Sequence, residues 1–398
     1  MDQVDVTTMR GGDLLPLLQH DPYPFYEQLR SAGPVVWAPS LGRWLVTGHP
    51  EIVEVLRDER FSADRRKWKG FEPIIEPGRE GARSMLVVDP PDHTRLRGLV
   101  QQAFTPRVVE GLRPRIESLV REALDRAEDR GSMDLVADLA YPLPVTVIAE
   151  LLGVPVEDRE SFRHWSDALV GGLDPVAVSD RRAAVLAARD ALATYLQRII
   201  EGRRAAPRDD LLSHLIEAEE RGDRLSGPEL VAMGVLLLVA GHETTVNLIG
   251  NGVNALLAHP DQLARLRDAP ELVEPAVEEL LRYDSPVQLT GRVALEELEL
   301  GGRRVEPGQM VMLLLGAANR DPRVFPHPDR LDLGRAPNPH LAFGRGIHFC
   351  LGAPLARLEG QIAIAALVRR FPTLRLAGEP VRRPTVTLRG FASLPLTW

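Results

Sequence analysis

The sequence has little cysteine and few aromatic residues. Cys350 is the one cysteine among 398 residues, and Phe, Tyr and Trp together make up 5% of the chain. A single thiol excludes an intrachain disulfide, a zinc ribbon and an iron–sulfur cluster held by several cysteines. Such sparse cysteine fits a reducing compartment, and we expect the protein to be cytoplasmic.

Basic charge and long apolar runs are also lacking. The chain has 48 Lys and Arg residues against 56 Asp and Glu, a formal net charge of -8. Nucleic-acid binders need a basic surface, so this balance disfavours them. The longest apolar run, 231–241, has 11 residues, whereas a membrane-spanning helix needs about 20. Residues 1–20 hold no apolar core of signal-peptide length. We therefore expect neither a nucleic-acid nor a membrane partner.

Apolar residues at helical spacing dominate the rest of the chain. The periodicity predicts helices over 108–130, 179–204, 226–258, 271–283 and 351–370. Ser226 and Pro228 are typical of a helix start, and the helix that they open is long enough to cross a core. Strand patterns are few and lie at 43–47, 287–293, 310–314 and 385–388. The sequence thus predicts a mainly α fold with a small β region.

Two irregular stretches separate these elements. Residues 62–91 mix Pro, Gly and charged residues and are predicted to form a long loop that acts as a lid. Residues 319–346 are dense in Pro and Arg. The chain shows no repeat, no low-complexity tract and no linker-like change of composition, so we expect one domain over 1–398.

The most specific motif surrounds the lone cysteine, in Phe-Gly-Arg-Gly-Ile-His-Phe-Cys-Leu-Gly at 343–352. Glycines adopt positive φ without strain and let backbone approach a flat ligand. A helix that starts just after Cys350 would direct unpaired amides at the sulfur, which favours the thiolate that metals bind. The position near the C-terminus does not fit a papain-type nucleophile, and Phe349 does not fit a dinucleotide loop. Taken alone, the motif leaves open that Cys350 is a small buried hydrophobic residue.

Polar residues interrupt the long predicted helix at Ala-Gly-His-Glu-Thr-Thr, 240–245. Burying such groups without partners costs about 1–3 kcal/mol each, and Gly241 adds roughly 1 kcal/mol relative to alanine. A ligand pressing on the helix or a local distortion would explain them, and so would hydrogen bonds to neighbouring helices. The segment is not a zinc-protease motif, because Val246 stands where a second histidine is required.

The third motif is Glu279-Leu-Leu-Arg282, whose spacing places an acid and a base on one helical face. Such a pair alone is typical of a solvated surface. In their order along the chain, however, the three motifs resemble those of the cytochromes P450, the haem-thiolate monooxygenases, and of their soluble bacterial members in particular. The similarity runs from about residue 21 to the C-terminus. It implies a helical triangular prism with a small β region, and haem b as the cofactor.

The resemblance also implies roles for particular residues. Cys350 would be the axial thiolate of the haem iron, which favours O–O cleavage, and Phe343 would shield the sulfur. The haem propionates would be held by His93, Arg97, Arg292 and His348. A buried ion network of Glu279, Arg282 and Arg330 would fix the geometry of the haem loop. Thr244 would hold a water on the oxygen-binding face, and Glu243 would relay protons through a helix distortion and ordered water.

The same resemblance implies the reaction and the partners. Hydroxylation or epoxidation with O2 is expected for a small hydrophobic molecule that resembles a polyketide, terpenoid, steroid or fatty acid. The family-equivalent pocket positions are Leu86, Leu236, Val239, Ala240, Thr244, Val287, Leu289 and Phe391. The sequence offers no flavin or iron–sulfur module. Electrons are therefore expected from a separate ferredoxin and its NAD(P)H-dependent reductase, which would dock on a monomer near Arg95, Arg345 and Arg357.

One alternative is a haem protein without turnover, either an electron carrier or a gas sensor. It would use Cys350 and the propionate residues equally well but would have no need of Thr244 and Glu243. A helical binding module without any cofactor would instead be colourless.

Overall fold

The computed structural model describes residues 18–71, 82–174, 178–220 and 225–398. Most of this part of the chain is helical. The helices are α1 (Tyr23–Ala32), α2 (His49–Arg57), α3 (Asp92–Val100), α4 (Pro106–Gly111), α5 (Arg113–Arg130), α6 (Pro142–Leu152), α7 (Arg159–Gly171), α8 (Val178–Ala205), α9 (Leu211–Glu220), α10 (Gly227–Ala258), α11 (Pro260–Asp268), α12 (Val273–Tyr283), α13 (Leu315–Ala318) and α14 (Ala353–Arg370).

The strands are short and form small sheets. They are β1 (Val35–Ala38), β2 (Arg43–Val46), β3 (Phe61–Ser62), β4 (Ser132–Asp134), β5 (Thr290–Ala294), β6 (Leu298–Leu300), β7 (Arg303–Val305), β8 (Met310–Leu313), β9 (Arg375–Leu376), β10 (Val381–Arg382), β11 (Phe391–Ser393) and β12 (Pro395–Thr397). The largest sheet has the order β1-β2-β8-β5-β3, in which β2 and β8 are parallel and the other pairs antiparallel. The predicted mainly α fold with a small β region is confirmed.

The long helix α10 begins where the sequence predicts. Ser226 and Glu229 form a capping box, each side chain accepting a hydrogen bond from the other residue's backbone amide. By length and composition α10 could cross a membrane, but 61% of its most apolar window is buried inside the protein, as in a core helix. Packing explains why glycine stands at position 241 within the helix, because a Cβ there would lie 2.6 Å from the Ile148 side chain of α6.

Two predicted elements differ from the structure. The helix predicted over 108–130 is interrupted at Leu112, because Pro114 supplies no amide to continue the hydrogen-bond ladder and stands instead in the first turn of α5. No strand forms at 385–388. The Asp174 carboxylate accepts the backbone amides of Val386 and Thr387, and only the bridge between Val287 and Leu388 remains.

The predicted lid, 62–91, is only partly among the described residues. Its first part contains the end of β3 and a 3₁₀ turn at Arg65–Lys67, and its second part contains a 3₁₀ turn at Met85–Val87. Residues 72–81 lie outside the described residues. Asp89 ties the two described parts together by accepting the Ala63 amide at 2.8 Å and the Lys67 ammonium at 2.7 Å.

Candidate active site

The loop around Cys350 is shaped by glycines. Gly344 and Gly346 adopt φ of +69° and +71°, which side chains rarely allow, and a Cβ on Gly346 would lie 2.1 Å from the Leu56 carbonyl oxygen. The Cys350 amide donates to the Phe343 carbonyl at 2.9 Å and closes the loop. Helix α14 starts three residues later, at Ala353. The predicted glycine-rich loop and the helix start behind it are therefore both present.

The surroundings of the Cys350 sulfur both raise and lower the pKa of its thiol. On balance the pKa of the thiol is raised, because desolvation by neighbouring protein atoms outweighs the backbone amides of Gly352 and Ala353 and the guanidinium of Arg97, which lower it. Part of Cys350 remains exposed. The thiol is thus accessible to a ligand and is approached by donors that stabilise its ionised form.

Four cationic or ionisable side chains form what we call the cation cluster: His93, Arg97, Arg292 and His348. The rings of His93 and His348 lie 4.2 Å apart between centroids. Arg292 is 9% exposed, and its nearest acceptors are the uncharged Gly291 carbonyl at 2.8 Å and the Thr290 hydroxyl at 3.5 Å. The Nε2 atom of His93 is buried without a hydrogen-bond partner.

The cation cluster is electrostatically unbalanced. Desolvation, with Arg292 and His93 nearby, lowers the pKa of His348 to about 3, and desolvation lowers the pKa of Arg292 to about 10. Asp89 is near, but it is engaged by Lys67. Within the described residues, no member of the cluster forms a salt bridge to a carboxylate. A ligand with two carboxylates, such as the propionates of haem, would supply the missing negative charge.

Sequence reasoning overlooked a further cation near this cluster. Arg65 follows strand β3, whose antiparallel partner β5 carries Arg292, and it contributes to the lowered pKa of Arg292. Desolvation lowers the pKa of Arg65 as well. The sequence shows that Arg65 follows a short strand. It does not show that this strand pairs with β5, so the proximity of Arg65 to Arg292 could not be predicted.

On α10, Thr244 and Glu243 point in different directions. The Thr244 hydroxyl donates to the Ala240 carbonyl at 3.2 Å, and Ala240 is exposed although the helix around it is largely buried. Glu243 is 1% exposed and bonds to Arg383, which also bonds to Asp167. The helix is continuous through both residues, so the expected distortion is absent.

Glu243 lies in a network of charges behind the helix. Burial alone would raise the pKa of its carboxyl, but His242 and Arg383 outweigh burial and lower the pKa to about 2. The Nε2 atom of His242 lies 3.4 Å from the Glu243 carboxylate, and the other ring nitrogen lies 2.6 Å from the Leu238 carbonyl oxygen. Polar neighbours thus account for part of the 240–245 segment, while Nε2 of His242 and Oε1 of Glu243 are buried without a hydrogen-bond partner.

A second buried carboxyl received no role from the sequence. Glu359 on α14 is 1% exposed, and neither of its side-chain oxygens has a hydrogen-bond partner. Burial raises its pKa to about 8, and Thr245 of α10 opposes that rise. At neutral pH this group is therefore mostly a neutral acid that faces the polar segment of α10.

The ion network predicted from Glu-x-x-Arg exists, with one correction. Glu279 and Arg282 form two hydrogen bonds of 2.7 and 2.8 Å and are both fully buried. The third side chain is Arg335, which lies 3.1 Å from both Glu279 oxygens. The predicted third member, Arg330, is exposed, and it contributes its backbone carbonyl, which accepts hydrogen bonds from Arg282 and Arg335. Arg335 lies five residues further along the irregular stretch, where the backbone turns it inward.

Two of the predicted pocket residues expose almost no surface. Leu289 is 4% exposed and packs in a cluster beside the large sheet, and Phe391 is 2% exposed with the Arg382 guanidinium over its ring. The other predicted positions keep accessible surface, and Leu86 is exposed. These are Leu86, Leu236, Val239, Ala240, Thr244 and Val287.

The expected basic docking cluster is largely neutralised. Arg95 bonds to Glu229 at 2.6 Å and to Asp92 at 2.9 Å. Arg357 bonds to Glu278 at 2.7 Å and lies over the Phe343 ring, 4.6 Å from its centroid. Arg345 alone of the three forms no salt bridge within the described residues. Asp92 is an i,i+3 neighbour of Arg95 on α3, but the sequence could not show the pairs with Glu229 and Glu278, because these acids lie on distant helices.

The fold and the site define a haem-thiolate protein. A glycine-shaped loop presents one thiol, cations without carboxylate partners lie near it, and a polar segment interrupts a long buried helix. The residues present therefore fit haem b, with Cys350 to bind the iron and the cation cluster to bind the propionates.

Comparisons with known proteins agree. The sequence model of the family described as cytochrome P450 matches residues 19–396. The chain is 47% identical to the cytochrome P450 monooxygenase PikC of Streptomyces venezuelae, covering 95% of this chain and 91% of PikC. It is 45% identical to the vitamin D(3) 25-hydroxylase of Pseudonocardia autotrophica, covering 95% and 94% of the two chains. The ligand-free structure of CYP164A2 from Mycobacterium smegmatis superposes with a TM-score of 0.91 at 44% identity, covering 98% of this chain and 100% of that one.

The chain belongs to the cytochrome P450 family. It is an O2-dependent monooxygenase with haem b as its cofactor.

Proposed function

We propose that the protein hydroxylates or epoxidises a small hydrophobic substrate, inserting one oxygen atom from O2. The observation that carries this proposal is the polar pair on α10. Thr244 lies beside exposed Ala240, while the neighbouring Glu243 is buried and linked through Arg383 to the half-exposed Asp167. Haem, when bound, supplies the activation of O2, and a proton source behind its oxygen-binding face completes such a reaction.

The proposal gives each residue of the site a task. Cys350 binds the iron as thiolate, with Phe343 beside the loop, and His93, Arg97, Arg292 and His348 bind the propionates. Thr244 holds a water. Arg383 holds Glu243 as a carboxylate with a pKa of about 2, so Glu243 passes protons from solvent only when Arg383 releases it. Glu279, Arg282 and Arg335 fix the irregular stretch that leads into the Cys350 loop.

The substrate class follows from the exposed part of the predicted pocket, which is apolar except for Thr244. Apolar walls with one hydroxyl favour a hydrophobic molecule of polyketide, terpenoid, steroid or fatty-acid type. The relative named for vitamin D(3) supports a substrate of this kind. We propose that electrons come from a ferredoxin and its NAD(P)H-dependent reductase, that the protein acts in the cytoplasm as a monomer, and that its product enters secondary metabolism.

Haem binding is tested first, by Cys350→Ala and by the spectrum of the reduced carbon monoxide complex. We expect the thiolate signature in the wild-type protein and its loss in the variant. Circular dichroism confirms that the variant is folded. A variant that kept the signature would refute Cys350 as the ligand.

Catalysis is tested by Thr244→Ala, with Thr244→Ser as the matched control. Substrates are found by their spectral shifts, and NADH use, peroxide and product are then measured with a surrogate ferredoxin and reductase. The alanine variant should consume NADH but divert most electrons to peroxide, and the serine variant should restore coupling, because it retains the hydroxyl. Equal coupling in all three proteins would refute the role of Thr244, whereas reduction of the haem without product in any of them would favour the alternative, an electron carrier or gas sensor.

A further inference from the structure

A cavity lies behind α10, on the side to which Glu243 points. Its volume is about 340 Å³, it is partly open to solvent, and it lies between α7, α8, α10 and the segment that follows β10. Its apolar wall is formed by Val136, Ala168, Val170, Ala184, Val246 and Ala392. Neither Thr244 nor Ala240 lines it, so it is distinct from the face on which Thr244 lies.

The charges that line this cavity are mostly positive. Arg163, Arg181 and Arg383 face it against one carboxylate, Asp167. Asp167 already bonds to Arg383, and burial raises the pKa of its carboxyl. The second carboxylate on Arg383, Glu243, lies beneath it in the helix and does not line the cavity.

Among the described residues, two of the three guanidiniums have no carboxylate partner. Arg163 lies over the Tyr141 ring, 5.0 Å from its centroid, and forms no salt bridge within the described residues. The hydrogen bonds of Arg181 are long ones, of 3.4 and 3.5 Å, to the Pro384 carbonyl. Guanidiniums beside apolar walls gain most from a ligand that brings its own anionic oxygens.

We propose that this cavity binds a small organic monocarboxylate. The carboxylate lies between Arg163 and Arg181, and its apolar body lies against Val170, Ala184 and Ala392. Inorganic phosphate suits the cavity poorly, because it would place a hydrated dianion against that apolar wall. The occupant also competes for Arg383, which loosens the hold of Arg383 on Glu243. This last consequence rests on the proposed function, whereas the binding itself does not.

Binding is tested by calorimetry on the haem-loaded protein with an azole bound to the iron, so that acids cannot enter through the haem pocket. Hexanoate and benzoate are the probes, and hexanol is the uncharged control. We expect saturable binding of one acid per chain and much weaker binding of hexanol. Arg163→Gln and Arg181→Gln should each weaken acid binding about tenfold, the equivalent of one lost charge-assisted hydrogen bond.

Arg182→Gln is the matched control, because it removes an exposed charge from the next position of α8 without touching the cavity. Haem content and thermal unfolding are compared to show that all variants are folded. Three results would overturn the proposal: no saturable binding up to about 10 mM, equal affinity for hexanoate and hexanol, or equal weakening by Arg182→Gln.

The effect on Glu243 has its own measurement. With substrate present, a saturating acid should change the share of electrons that reach product in the wild-type protein but not in the Arg163→Gln and Arg181→Gln variants. If binding is found without this effect, the site stands and its link to Glu243 is wrong. If no substrate is ever turned over, the proposed function fails and the calorimetry still decides the site.

Discussion

The ion network around Glu279 and the cation cluster around Arg292 are two charged regions that differ in how their charge is balanced. Glu279 accepts hydrogen bonds from Arg282, Arg335, Asn338 and the Asp332 amide. Arg292 meets only uncharged oxygens among the described residues.

The difference teaches how to separate a structural cluster from a binding cluster. A buried charge without a partner costs several kcal/mol, so a protein that needs it only for its own fold supplies that partner. The ion network is complete and therefore acts within the chain. The cation cluster has a surplus of positive charge that a bound anion removes.

The largest loss of stability is expected when Glu279, at the centre of the ion network, is replaced. Glu279→Ala leaves Arg282 buried without its carboxylate and should lower the free energy of unfolding by about 3–5 kcal/mol. Denaturant unfolding of the haem-loaded protein measures this. If the variant gives too little folded protein, Glu279→Gln should show a smaller loss because it keeps the shape and some hydrogen bonds.

Glu274→Ala is the matched control for Glu279→Ala. Glu274 is exposed on the same helix, α12, and its removal should change the free energy of unfolding by less than about 0.5 kcal/mol. Equal losses at the two positions would mean that the network does not stabilise the fold.

Arg335, and not Arg330, is expected to be the third side chain of the ion network. Arg335→Ala should cost about 2 kcal/mol, because its side chain is 9% exposed and bonds to Glu279. Arg330→Ala should cost less than about 0.5 kcal/mol, because the carbonyl that Arg330 contributes survives the substitution. The same unfolding measurement on both variants decides between the two arginines, and a larger loss for Arg330→Ala would restore the prediction from the sequence.

This pair of arginines also shows what the sequence can and cannot predict. The helix α10, the Cys350 loop and the Glu279–Arg282 pair could be predicted, because each depends on local spacing and glycine geometry. Arg335 could not be distinguished from Arg330, because the choice depends on how an irregular stretch folds back on α12. Long-range contacts decided the other corrections as well.

Residues 385–388 illustrate this limit. The alternation of Thr385, Val386, Thr387 and Leu388 is typical of a strand, but Asp174, more than 200 positions earlier, takes the two amides that a neighbouring strand would need. A tertiary contact thus overrode a local preference. Leu289 and Phe391, which are 4% and 2% exposed, stay predictions of pocket residues that rest on resemblance.

Glu359 extends the comparison of the two charged regions, because it is a buried acid that forms no salt bridge among the described residues. Its pKa is raised to about 8 from a reference value of 4.5, so the folded protein holds the proton more tightly than the unfolded chain. The associated stability is present below about pH 4.5 and is lost as the pH rises through 8. Glu359→Gln should therefore gain up to about 4 kcal/mol of stability relative to the wild type as the pH rises from 4.5 to 8, at about 1.4 kcal/mol per pKa unit.

The measurement is the free energy of unfolding between pH 5 and pH 8. The difference between Glu359→Gln and the wild type should grow with pH, because only the carboxyl loses a proton. Glu274→Gln, which removes an exposed acid, should show a nearly constant difference. A constant difference for Glu359→Gln would mean that its carboxyl is already ionised in the folded protein at pH 5.

The smallest effect of a substitution is expected in the cation cluster. There, the loss of a cation should not destabilise the haem-free protein but should weaken the binding of haem. Arg292→Gln removes a cation that bonds to no carboxylate of the chain, so the haem-free protein should be at least as stable as the wild type. The haem-loaded protein should lose its haem to a scavenging apoprotein about tenfold faster, the equivalent of one charge-assisted hydrogen bond. Arg303→Gln, an exposed position on β7, should change neither quantity. Destabilisation of the haem-free protein by Arg292→Gln would show that Arg292 acts within the fold, as Arg282 does, and would remove the distinction between the two clusters.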